Sequence, residues 1–187
     1  MFLRKSRLER DPLAVTMSGV RLGEKALQIG EGDMRVMALI AAKAGLTGTA
    51  AIVVLDDQAA ARVRNAVTDI GALAEVGVVD RQDPPGDATF DVVIVHDVQH
   101  TIAAANDAVR SGWLQLCRRV LRDGGRIITI EPGSPVGLRA LFGSSKEAAP
   151  AGGGSSQAAL ESVGFRNVRL LADREGFRFI EGFKKAD

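Results

Sequence analysis

Three short stretches hold most of the residues that could do chemistry. The chain has only two histidines, and both stand in His96-Asp97-Val98-Gln99-His100. Imidazoles suit proton transfer near neutral pH. The second stretch is Gly30-Glu31-Gly32, which closes the apolar run Ala26 to Ile29, and the third is the acidic pair Asp56-Asp57, which closes the run Ala50 to Leu55. A strand ending in Gly-x-Gly, a helix, and a second strand ending in an acid make a nucleotide-binding half-unit. The glycines permit a tight turn and close backbone approach, and the acid accepts hydrogen bonds from ribose hydroxyls. An adenosine-containing ligand is therefore expected. The histidine pentapeptide imitates a zinc motif, but His96 follows Val92-Val93-Ile94-Val95 and so ends a strand, and there is no third histidine. No metal site is expected.

Elements of a definite kind must position these residues. Apolar runs of strand length recur at 26–30, 50–55, 75–79, 90–95 and 126–130. Most are continuous rather than alternating, which suits strands buried on both faces. Helical patterns lie between them over Met34 to Ala44, Gln58 to Leu73 and Thr101 to Leu121, the last closed by Asp123-Gly124-Gly125. This alternation predicts a doubly wound α/β fold with a mostly parallel sheet. A short helix over Gln157 to Val163 follows, then two strands, Asn167 to Leu171 and Phe177 to Phe183. The connection between these two is too short for a parallel crossover, so the sheet ends in an antiparallel hairpin.

Bulk properties narrow the choice of partners. The chain has 187 residues, 46% apolar, a length suited to one domain over 1–187 with a substantial core. A formal charge of +1 gives no broad basic face for nucleic acid. The single Cys117 sits in a helix-like pattern, and no apolar run reaches bilayer length; a cytoplasmic protein is expected. Residues 1–21 form a basic N-terminal extension, and 133–156 a loop rich in glycine, serine, alanine and proline, a candidate substrate lid.

The ordered words of the chain resemble the class I S-adenosylmethionine-dependent methyltransferases. Leu27-Gln-Ile-Gly-Glu-Gly is similar to that family's first motif and Phe90-Asp-Val-Val-Ile-Val-His to its fourth strand. Arg119-Val-Leu-Arg-Asp-Gly-Gly-Arg-Ile-Ile is similar to its helix-to-strand turn, and Ala159-Leu-Glu-Ser-Val-Gly-Phe to its last helix. The resemblance covers roughly residues 22 to 183 and implies a Rossmann-like, seven-stranded sheet and S-adenosylmethionine as cofactor. It implies that Gly30, Glu31 and Gly32 border the methionine part and that Asp56, with Asp57 beside it, takes the ribose. Asp80, with Asp83 as the alternative, and Arg81 would lie near the adenine. Two positions depart from the pattern: Gln28 stands where the family has an acid, and Met34 where it has a third glycine.

Methyl transfer asks the protein for alignment and a dry site. An acceptor with a hydroxyl would also need a base just beyond the fourth strand, where His96, Asp97 and His100 stand. The plainer alternative has His96 packing the strand end and His100 on a helix surface. The expected function is methylation of a small-molecule acceptor. A non-catalytic binding or assembly module is the alternative that Gln28 and Met34 motivate. A nicotinamide-dependent oxidoreductase would want glycine where Arg35 stands.

Overall fold

The central apolar runs, 26–30 and 92–95, are buried on both faces, as their unbroken hydrophobicity requires, whereas 50–54 alternates buried and half-buried residues. In the computed structural model, which describes residues 12–79, 87–98, 105–133 and 156–186, they form one seven-stranded sheet. The strands are β1 Lys25–Glu31, β2 Thr49–Val54, β3 Glu75–Val78, β4 Phe90–Asp97, β5 Leu121–Pro132, β6 Phe165–Arg174 and β7 Phe177–Lys184. Their order is β3-β2-β1-β4-β5-β7-β6. The first five run parallel, and β7 pairs antiparallel with both β5 and β6.

Helices cover both faces. On one lie α1 Leu13–Met17, α2 Met34–Ala44 and α3 Asp57–Ile70, whose Val15, Met37, Ile40 and Val63 pack with Val92 and Ile94 of β4. On the other lie α4 Asp107–Val120 and α5 Ser156–Ser162, whose Leu114, Cys117 and Leu160 pack with Leu27, Val93 and Val95. Side chains alternate across a strand, so neighbours in β4 serve opposite cores.

Local chemistry sets the helix starts at the carboxyl edge of the sheet. Asp33, Asp56 and Asn106 each accept a hydrogen bond from the backbone N–H three residues on, at 3.0, 2.7 and 3.0 Å. Such caps satisfy donors that have no partner inside the helix. The third helix of the sequence reading is α4, which stops at Val120, before the glycine pair. Leu121 is fully buried and pairs with Phe90, after which the register shifts and Arg126 pairs with Val92. Asp123-Gly124-Gly125 is thus an irregularity inside β5, with Gly124 at φ +71°, and not the helix stop itself. The helix expected to reach Leu73 ends at Ile70, because Gly71 takes the left-handed conformation at φ 72°. Glu175 and Gly176, both at positive φ, make the tight turn of the terminal hairpin.

Candidate active site

The strand order reverses direction between β1 and β4. In open α/β sheets such a switch point leaves a crevice at the carboxyl ends of the strands, where ligands bind. Here Gly30 pairs with His96 and Glu31 with Asp97. The glycine turn and half of the histidine pentapeptide, 66 residues apart in the chain, thus share one crevice.

Glycine is required at this crossing. Gly30 has φ +103°, and a Cβ there would lie 2.3 Å from the backbone oxygen of His96. A Cβ on Gly32 would lie 2.8 Å from Nδ1 of the His96 ring. The imidazole therefore lies against the turn, where glycine's hydrogen fits and a methyl group does not.

Gln28 explains why the ring is held there. It is fully buried, and its Nε2 donates to the backbone oxygen of Met37 at 2.8 Å. Its Oε1 lies 2.9 Å from Nε2 of His96. With the amide nitrogen used on Met37, the amide oxygen must accept, so His96 Nε2 carries the proton. Nδ1 is left as an acceptor beside Gly32. The ring is 3% exposed, and burial lowers its pKa to about 4. His96 is accordingly a neutral imidazole at physiological pH and a weak base. Met34, which the sequence suggested could crowd the turn, packs half-buried against the α1–α3 core.

Asp97 goes the other way. His96 and Val98 line a cavity of about 170 Å³ with Leu13, Asp33, Val36 and Phe177, on the α1–α3 side. Asp97 lines a second pocket of about 30 Å³ on the α4/α5 side, with Arg110, Thr129, Glu131 and Ser156. The structure therefore separates His96 from Asp97 instead of joining them. His100, Asp80, Arg81 and Asp83 lie outside the described residues.

Asp56 and Asp57 follow β2 on the same edge. One carboxylate oxygen of Asp56 caps α3; the other accepts no hydrogen bond among the described residues, and the side chain is exposed. Asp57 opens the first turn of α3, where its charge complements the helix dipole. A turn with glycine at two of its three positions, on the same sheet edge as an exposed carboxylate, fits an adenosine-bearing ligand. Thr129, Glu131, Arg110 and Ser156 were not singled out by sequence reasoning. Only their alternation within β5 and the packing of α4 and α5 bring them together, and no local motif signals that.

The methyltransferase domain model matches residues 27–129, from the middle of β1 to near the end of β5. This chain belongs to the methyltransferase domain family. Members of this class I family use S-adenosylmethionine as methyl donor. Two curated relatives are the ubiquinone/menaquinone biosynthesis C-methyltransferases UbiE of Idiomarina loihiensis and Ectopseudomonas mendocina. They are 30% identical over 125 and 128 residues, 65% of this chain and 48% of theirs. The chain thus spans about half the length of the curated relatives it matches. Among solved structures, a SAM-dependent methyltransferase from Aquifex aeolicus superposes with a TM-score of 0.69 at 16% identity, over 91% of this chain and 87% of that one. PigF with SAH gives 0.59 at 22%, over 86% and 50%. Both share the fold of this methyltransferase-family chain, Rossmann-like with the terminal antiparallel hairpin. Among the described residues no helix is long and apolar enough to cross a membrane.

Proposed function

We propose that the chain, as one domain over 1–187, transfers a methyl group from S-adenosylmethionine to a small-molecule acceptor in the cytoplasm. The observation that carries this reading is a glycine turn pressed against His96 at the β1/β4 switch point, with Asp56 at the end of the neighbouring β2, one of its carboxylate oxygens uncommitted among the described residues.

On this reading the backbone of Gly30, Glu31 and Gly32 borders the methionine part of the cofactor. Asp56 takes the ribose hydroxyls through its second oxygen, with Asp57 beside it. Asp80 and Arg81 serve the adenine end. Bound there, the cofactor supplies an electrophilic methyl group on a sulfonium, so the chain's own task is alignment and water exclusion. Gln28 and His96 act as a neutral positioning pair: the amide orients the ring, and the ring fixes the turn and offers Nδ1 as a hydrogen-bond acceptor. A ring with a pKa of about 4 is a poor general base. Where the acceptor must lose a proton, Asp97 and His100 are the candidates. The relatives' names specify transfer to carbon, which makes carbon acceptors the first class to assay.

A second reading has one observation in its favour. Gln28, standing where the family carries an acid, is fully buried, uncharged and already engaged with Met37 and His96. That arrangement suits a binding or assembly module with a weakened cofactor site. Calorimetric titration with S-adenosylhomocysteine, and a dinucleotide as control, separates the two readings. Micromolar binding of the first compound alone supports transfer and justifies acceptor screening. Absence of binding at millimolar ligand supports the module.

A further inference from the structure

We propose that the apolar cavity beside the glycine turn, walled by Leu13, Ala14, Val36, Val98, Ile130 and Phe177, receives a neutral, ring-sized group of the acceptor molecule and that Nδ1 of His96 accepts a hydrogen bond from that group's hydroxyl. The word acceptor rests on the methyl-transfer reading; the cavity and its hydrogen bond do not.

Size and lining set the class of guest. The cavity measures about 170 Å³, and a dry apolar cavity of about 150 Å³ is enough to take up benzene. Leu13, Val36, Val98 and Phe177 are each only half-buried, so a guest that covers them removes apolar surface from water. The two acids of the lining, Asp33 and Glu175, are exposed. Their charges are solvated at the rim, and the remaining side chains of the wall carry none. An ionic guest would lose its hydration without gaining a partner, which is costly. A neutral guest is selected.

His96 supplies the one polar contact. Strand alternation turns it to the same side as Val92 and Ile94, and it lines the cavity. Its ring is 3% exposed, and Gln28 already occupies Nε2. Nδ1 has no hydrogen-bond partner among the described residues, and in this tautomer it can only accept. The guest must therefore bring the donor, and a hydrocarbon alone would leave a buried acceptor unsatisfied. A lone water is a poorer occupant, because it needs two to four polar partners and the side chains behind the rim offer Nδ1 alone. With a pKa of about 4 the imidazole holds the hydroxyl without taking its proton. Gly32 lies against the same Nδ1. A guest held there stands next to the turn assigned to the methyl donor, and proximity of that kind is what the transfer requires.

The test uses the full chain with nitrogen-labelled histidine and His100→Gln, so that only the His96 ring gives signals. Phenol and toluene, alike in size and different in the donor, are titrated in. Phenol should move Nδ1 saturably to lower frequency, as an imine-type nitrogen moves on accepting a hydrogen bond, and toluene should displace phenol and reverse that movement. Val98→Phe, which fills the cavity, should weaken phenol about ten-fold or more; should that variant not fold, the competition by toluene carries the same test. No saturable movement, or one that toluene leaves in place, overturns the proposal. Saturating S-adenosylhomocysteine keeps the two readings apart. Phenol bound alongside it supports a separate acceptor chamber, and phenol displaced by it shows the cavity to be the donor's own seat and overturns the proposal. Phenol binding with no binding of S-adenosylhomocysteine leaves the cavity standing and removes methyl transfer.

Discussion

Nε2 of His96 donates to Oε1 of Gln28 across 2.9 Å, and the pair is sealed inside the protein with its other amide hydrogen bond on Met37. Its first consequence is a pH dependence. The folded state holds the ring at a pKa of about 4, against 6.5 for the unperturbed side chain. As pH falls, the unfolded chain takes up the proton first. The contribution is complete above about pH 6.5 and is lost toward pH 4, by on the order of 3 kcal/mol in all. Urea unfolding across that interval should show the slope in the wild type and a flatter one in His96→Gln. Equal slopes would mean that His96 is not the buried neutral group.

The glycine turn gives a coupling that can be measured. Gly32→Ala drives a methyl group into the His96 ring and should cost about 1–3 kcal/mol, as overpacking does. Part of that cost should vanish in combination with His96→Ser, leaving a coupling of about 0.5–3 kcal/mol in a double-mutant cycle. Gly30→Ala has no such rescue, since its obstacle is backbone and its φ is +103°; little soluble protein is expected.

Asp56 has two separable duties. Asp56→Asn keeps a good capping group for α3 and should change stability little. Its affinity for S-adenosylhomocysteine, measured by calorimetry, should still fall about ten-fold with the loss of a charged acceptor. Asp56→Ala should lose the same affinity and, in addition, about 1 kcal/mol of stability. If both variants bind as the wild type does, the ribose assignment is wrong.

Far from the crevice, Arg126 of β5 grips Glu24 with two nitrogens, at 2.9 and 2.8 Å, and also donates to Gly19. Burial alone would raise the Glu24 pKa, but the hydrogen bonds from Arg126 and the Arg21 backbone outweigh it and hold the carboxyl below its usual 4.5. Glu24→Gln should therefore cost about 1–3 kcal/mol at neutral pH. The difference from wild type should shrink as pH drops below 4.5, where the carboxylate of the wild type is lost. Chemical denaturation at both ends of that range checks it.

The strands were legible because a run such as Val92-Val93-Ile94-Val95, apolar on both faces, admits few other placements. Met34–Ala44 has the same bounds in sequence and structure because Asp33 caps it and Gly45 ends it. Boundaries slipped where a tertiary partner competed with a local signal: Leu121 left the helix because Phe90 offered it a place in the sheet. The glycine turn and the Asp56-Asp57 pair were visible for the same local reason. The Gln28–His96 bond spans 68 residues, and no window of the sequence contains both. The gathering of Thr129, Glu131 and Arg110 was equally hidden, since it needs the register of β4 on β5 and the seat of α4.

One step along β4, from His96 to Asp97, passes from one side of a wall to the other. The chamber that meets the glycine turn and the chamber that meets the acids share that wall but not their linings. Substitutions in one can accumulate with little energetic debt to the other, because separated sites without shared partners act almost additively. Under the proposed function, the side lined by the acids could change its ligand while the side that meets the glycine turn stays unchanged. A single-residue insertion in β4 is the exception: it would trade imidazole for carboxylate across the wall and spoil both chambers at once.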